Sequence, residues 1–244
     1  MKQIKFVLPA FIFAGILAVQ GAFAQLNPVR RADFDANWHF HLGDVPEAKE
    51  TDFADKSWRQ LNLPHDWSIE GTFSKDNPAG VGGGALPGGI GWYRKTFSLP
   101  VVDRDKSVFI DFDGVYMNSD VWLNGHLLGN RPYGYSSFRY ELTPYLNYGN
   151  KPNVISVRVD NSKQPNSRWY SGSGIYRNVW LVTTNKVHVD HWGTFVSTPE
   201  VNDKEATVSV ETTVRNELTI SSPVTLKTTL YDKDGKEVAS SSVK

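Results

Sequence analysis

The sequence predicts an all-β chain made of two sandwiches in series. Three observations carry that prediction. Apolar residues recur with period two in short runs, as in SVFIDFDGV (residues 107–115), where Val108, Ile110 and Phe112 alternate with polar neighbours. Asn124-Gly125 lies between Val121-Trp122-Leu123 and Leu127-Leu128, the pair a two-residue type I′ hairpin favours because both residues tolerate positive φ. Clusters of Gly, Pro, Asn and Asp separate such runs, and no strand-helix alternation of the kind a parallel barrel needs is present.

Composition excludes several function classes. Hydrophobic residues make up 40% and charged residues 21% of 244, a globular balance rather than a disordered one. Lys plus Arg equals Asp plus Glu at 26 each, so no basic excess points to a nucleic-acid partner. With no Cys, disulfides, thiolate metal sites and a Cys nucleophile are ruled out.

Residues 1–24 read as a secretory signal. Lys2 and Lys5 form a positive start, residues 6–19 an apolar run, and Ala22-Phe23-Ala24 a small-x-small cleavage site. The expectation is cleavage after Ala24 and a periplasmic or secreted protein, with no membrane attachment afterwards. The alternative is an uncleaved anchor, but the run is short for a bilayer span.

In NWHFHLGD (residues 37–44), Trp38 and Phe40 alternate with His39 and His41, a strand pattern. Two imidazoles on one strand face suggest a metal pair, but no third ligand stands at a matching spacing. Residues 47–56 read as a loop or short helical turn. Trp58, Leu61 and Leu63 then anchor a strand that Pro64 ends, because Pro has no N–H for the ladder. His65, Asp66 and Trp67 follow on a loop, where an imidazole, a carboxylate and an indole meet at a strand end. The competing readings are a turn cap for Asp66 and simple packing for His65 and Trp67.

Residues 72–91 are rich in Gly and Pro. The G-x-G-x-x-G frame of a nucleotide loop is absent, and a surface loop folding over a pocket edge is the better fit. Strands are expected at residues 91–97, 107–115, 121–128, 138–142 and 154–159. Asp111 and Asp113 share a strand face, near the spacing that a pair of carboxylates needs to cleave a glycosidic bond; ordinary polar alternation explains them without chemistry.

The stretch NSRWYSGSGIYRNVWL (residues 166–181) is the densest candidate site. Arg168, Trp169 and Tyr170 precede four small residues that let backbone come close to a ligand, and from Ile175 the pattern turns to strand. Arg donates in a planar fork, and an aromatic face suits the C–H face of a sugar. The same residues also fit a packed loop at a sandwich end.

Beyond residue 184 aromatics thin out and Ser, Thr and Val dominate. Strands are expected at residues 187–197, 206–214, 224–231 and 237–243, with Asp232-Lys233-Asp234-Gly235 as a turn. This texture suits an immunoglobulin-like sandwich, which needs about seven strands. With four visible, the domain is expected to be incomplete.

Together, RWYSGSGIYRNVWL, the Trp-x-x-Leu-x-Leu-Pro-His-Asp-Trp run at residues 58–67, GWYRKTF at residues 91–97, Tyr116-Met117-Asn118, the Leu123-Asn124-Gly125 hairpin, Tyr133-Gly134-Tyr135 and Val159-Asp160-Asn161 resemble the N-terminal sugar-binding domain of glycoside hydrolase family 2. That family holds β-galactosidases, β-glucuronidases and β-mannosidases, and the resemblance covers about residues 37–184. After the signal peptide read at 1–24, it implies a jelly-roll (galactose-binding-like) β-sandwich at 25–185 and a partial immunoglobulin-like β-sandwich at 186–244. It also implies that the two catalytic Glu residues sit in a later barrel of the same polypeptide. This chain then holds no catalytic residue and no cofactor. Its expected ligand is a carbohydrate, a β-galactoside or a related sugar, and its expected contacts are Asp66, Arg168, Trp169, His65 and Tyr170. Some relatives carry a carboxylate near Arg168 that contacts sugar or a cation; Asn166-Ser167-Arg168 has none, so no metal site is expected. The rival readings are a free-standing carbohydrate-binding module and a purely structural domain.

Overall fold

The computed structural model describes Ile4–Val7, residues 29–167 and residues 169–244. The cleavage site at Ala22-Phe23-Ala24 and the side chain expected to bind at Arg168 lie outside these residues. Contacts divide the chain into two compact units, one of residues 29–184 and one containing residues 185–244.

In the second unit, β1 (Ile4–Val7) pairs antiparallel with a later strand described below. The first unit runs through β2 (Val29–Asp33), β3 (Trp38–Leu42), β4 (Arg59–Leu61), the four-residue helix α1 (Trp67–Glu70), β5 (Gly89–Phe97), β6 (Ser107–Phe112), β7 (Ser119–Leu123), β8 (His126–Arg131), β9 (Phe138–Glu141), β10 (Asn153–Asn161) and β11 (Val179–Thr184). A six-stranded sheet in the order β4-β3-β5-β10-β7-β8 faces a four-stranded sheet in the order β2-β11-β6-β9. Every pairing is antiparallel. The non-sequential strand order is that of a jelly-roll-type sandwich.

The alternation read from sequence sets the core. Ile155, Val157 and Val159 point inward from β10, and the register puts Leu123 and Val121 beside the first two. Val108, Ile110, Phe112, Val179 and Leu181 meet them from the other sheet. Asn124 (φ 51°) and Gly125 (φ 82°) both take the left-handed conformation that the β7–β8 hairpin requires.

The outer face of the six-stranded sheet departs from a solvated one. Arg94 on β5 is 2% exposed, because the segment before β4 folds back over it. Its guanidinium donates to Asp55 Oδ2 (2.9 Å), Glu50 O (3.0 Å), Ser156 Oγ (3.0 Å) and Ala48 O. On the same face His39 Nδ1 lies 3.2 Å from Asp55 Oδ1, and His41 stacks on Trp58. Asp111 and Asp113 are likewise engaged. Asp111 accepts two bonds from Arg139 (2.6 and 2.8 Å) on the neighbouring strand, and Asp113 accepts one from Trp180 Nε1 (2.8 Å).

Several boundaries differ from the pattern: β6 stops at Phe112 rather than at residue 115, and the strand expected at residues 224–231 begins at Leu226. The strand expected from Ile175 begins at Val179, because Asp35 captures Asn178 Nδ2 (2.6 Å) and Val179 N (2.7 Å) and turns the chain into the sheet there. In the second unit β12 (Val187–Val201) runs past its expected end and carries register shifts against β13 (Ala206–Asn216), the strand that β1 joins. The hairpin of β14 (Leu226–Tyr231) and β15 (Glu237–Val243) turns at Gly235 (φ 79°), and Asp232 accepts from Asp234 N and Lys236 N (both 2.9 Å).

Candidate functional site

Four connections gather at one end of the sandwich: residues 113–118, 132–137 and 162–178, and the turn into α1. Tyr116 and Gly174 exchange two backbone hydrogen bonds (2.9 Å each) and tie the first to the third. Gly174 sits at φ 129°, where a Cβ would strike Tyr93 OH and the His65 carbonyl. Only glycine fits this crossing.

Asp66 is the N-cap of α1. Its Oδ1 accepts from Ser68 N (2.9 Å) and from Ser173 N (2.8 Å), so one carboxylate joins the helix start to the SGSG segment. Its Oδ2 has no hydrogen-bond partner among the described residues and lies against Gly172, where any Cβ would collide with it. Beneath, Ser173 is fully buried; its hydroxyl accepts from Asn161 Nδ2 (2.7 Å) and donates to Ser68 Oγ (2.7 Å), whose own proton goes to Pro87 O (2.6 Å). The turn-cap reading of Asp66 is thus what Oδ1 does, and Oδ2 takes no part in it.

His65 is placed differently from the expected sugar contact. Its ring is buried, with Nδ1 2.7 Å from Tyr93 OH and Nε2 3.1 Å from Glu70 Oε2, and it lines neither cavity described below. Burial lowers its pKa, which keeps the imidazole neutral. Glu70, held by a two-pronged bond to Arg59 (2.6 and 2.9 Å), has its pKa pulled down to about 2. His65 thus works from behind, fixing the turn that presents Asp66. Trp67 is also core, and its Nε1 donates to Gly88 O (3.1 Å).

In front of Asp66 is a cavity of about 120 Å³ lined by Asp66, Tyr116, Tyr135, Tyr170, Gly172 and Tyr176 among others. It shares Tyr116 and Tyr135 with a second cavity of about 510 Å³, which adds Met117, Tyr133, Asn166 and Trp169. Trp169 Nε1 donates to Tyr135 OH (3.0 Å), Tyr116 OH donates to Asn166 Oδ1 (3.1 Å), and Tyr176 OH donates to Gly134 O (2.9 Å). Gly84, from the Gly-rich loop, packs against the Tyr170 ring, so that loop does border the recess.

Of the five expected contacts, the structure brings Asp66, Trp169 and Tyr170 to the two joined cavities. Tyr116, Tyr133, Tyr135, Asn166 and Tyr176 were not among them. The first three belong to the Tyr116-Met117-Asn118 and Tyr133-Gly134-Tyr135 segments, and Asn166 and Tyr176 to the 166–181 stretch, all singled out above as segments and not as contacts. A recess lined by Tyr116, Tyr135, Tyr170 and Tyr176, with the Asp66 carboxylate in its wall, is chemically suited to a polyhydroxylated ligand.

The class of protein this defines is a β-sandwich with an aromatic recess at its loop end. The chain belongs to glycosyl hydrolases family 2: the profile of that family's sugar binding domain matches residues 32–185. It is 58% identical over 214 residues to the β-galactosidase BoGH2A of Bacteroides ovatus, a match covering 88% of this chain and 25% of that protein. It is 32% identical over 230 residues to a β-glucuronidase of Formosa agariphila, covering 86% of this chain and 23% of that protein. Among solved structures, a β-glycosidase from Bacteroides vulgatus superposes with a TM-score of 0.83 at 44% identity, covering 87% of this chain and 27% of that one. The chain thus spans about a quarter of the length of these relatives.

Proposed function

We propose that this chain is the non-catalytic N-terminal portion of a secreted family 2 β-galactosidase, and that it shapes the pocket for the terminal sugar. The observation that carries this reading is Asp66: one oxygen is fixed by two backbone N–H groups, the other has no hydrogen-bond partner among the described residues, and the residue lines an aromatic recess. A carboxylate held in this way accepts hydroxyl hydrogen bonds without reorganising, and such charge-assisted bonds are the strong ones. The bond-breaking carboxylates belong to another part of the polypeptide. The galactoside preference rests on the 58% identity to a β-galactosidase against 48% to a putative β-glucuronidase and 32% to a β-glucuronidase, both of Formosa agariphila. Secretion rests on the charged start, apolar run and Ala22-Phe23-Ala24.

One preparation tests both statements. Full-length enzyme recovered outside the cytoplasm is expected to begin at Gln25 and to hydrolyse nitrophenyl β-galactoside in preference to the β-glucuronide. An intact Met1 contradicts secretion by cleavage, and the reverse substrate order contradicts the galactosidase assignment.

A further inference from the structure

The two joined cavities differ in size and in chemistry. The smaller one, with Asp66 at its side, has room for one edge of a single sugar ring. The larger, at about 510 Å³, falls in the range of about 300–1,000 Å³ that holds drug-sized ligands, more than a terminal sugar needs. Its walls are unusually exposed for aromatic residues: Trp169 is 61% and Tyr133 59% accessible. Isolated exposed aromatics need no explanation, but several lining one groove that continues a ligand recess do.

These rings are also held in place. Tyr133 and Tyr135 lie edge to face with centroids 5.7 Å apart, and Tyr135 meets Tyr116 in the same manner at 5.2 Å. The Trp169 indole is tethered to Tyr135 OH (3.0 Å), and its carbonyl accepts from Ser167 Oγ (2.5 Å). Asn166 anchors the wall from beneath: its Oδ1 accepts from Tyr116 OH (3.1 Å) and Ser171 Oγ (3.3 Å), and its Nδ2 donates to Asn161 Oδ1 (2.6 Å). Rigid aromatic surfaces of this kind give contact area at little ordering cost.

We propose that the larger cavity is a platform for the second sugar of an oligosaccharide, so that the enzyme prefers β-galactosides capping a glycan over simple glycosides. This deepens the proposed function and rests on the recess at Asp66 holding the terminal sugar. The second ring lays its C–H face on Trp169 and Tyr133, while the Tyr133 and Tyr135 hydroxyls of the same groove meet its hydroxyls.

The test compares kcat/KM of the full-length enzyme on a β-galactosyl-terminated trisaccharide and on nitrophenyl β-galactoside. Trp169→Ala and Tyr133→Ala are both surface changes and are each expected to lower the trisaccharide-to-nitrophenyl ratio by about tenfold. A ratio that stays put in both variants overturns the platform. A ratio that rises overturns it too, since the groove then favours the apolar nitrophenyl group. Asp66→Asn separates the underlying reading: it is expected to depress both substrates together. If it leaves both untouched while Trp169→Ala still shifts the ratio, the terminal-sugar role of Asp66 falls and the platform stands.

Discussion

Asp66→Asn is expected to cut kcat/KM on nitrophenyl β-galactoside by about 10–150-fold while leaving the fold intact. The replacement is nearly isosteric. Its amide oxygen can still accept from Ser68 N and Ser173 N, so the cap of α1 and the link to the SGSG segment survive. What changes is the atom facing the recess, where an acceptor becomes an NH2 donor. A hydrogen bond to a charged group contributes about 1.5–3 kcal/mol, and each 1.4 kcal/mol is about tenfold. Asp66→Ala is less informative, because it also removes the cap and costs about 1 kcal/mol of stability. If Asp66→Asn keeps wild-type kcat/KM, the carboxylate is a structural cap alone.

The largest effect on stability is expected at Arg94. Arg94→Met keeps much of the side-chain bulk and removes the guanidinium that Asp55, Ser156 and the Ala48 and Glu50 carbonyls share. Removing one partner of a buried ion pair costs about 3–5 kcal/mol, since the other is left uncompensated. Denaturant unfolding measures the loss. Adding Asp55→Asn to Arg94→Met is expected to recover part of it, because the stranded charge is gone. A loss below about 1 kcal/mol would mean that water reaches these groups and the covering segment does not seal them.

Arg94 also marks the limit of what could be read from sequence. In GWYRKTF it looks like any polar residue alternating on a strand. Its burial follows from a segment some 40 residues earlier folding back over it, and a local pattern carries no record of such a contact. The β7–β8 hairpin is the opposite case: Asn124-Gly125 encodes its own conformation through positive φ, so the turn and its flanking strands were legible. The inward set of β10 was legible for the same reason, because period two needs no distant information.

The site divides along the same line. Trp169, Tyr170 and Asp66 stood out because aromatic and acidic residues beside Gly and Ser have local meaning. His65 has the same neighbours, yet Tyr93 and Glu70 hold it in the interior, and only tertiary packing decides that. Tyr116 and Tyr135 stood in segments that the resemblance singled out, but their place in the wall was not legible, since a tyrosine near a strand end suits a core as well as a cavity wall. They reach one recess because residues 113–118 and 132–137 are the connections on either side of the β7–β8 hairpin and emerge at the same end of the sandwich.

The most direct measurement is a crystal structure of the full-length enzyme with a non-hydrolysed β-galactoside. A terminal-sugar hydroxyl is expected at about 2.5–3.0 Å from Asp66 Oδ2, with the next sugar against Trp169. A bound glycoside that leaves Asp66 and the aromatic recess untouched would contradict the pocket-shaping role.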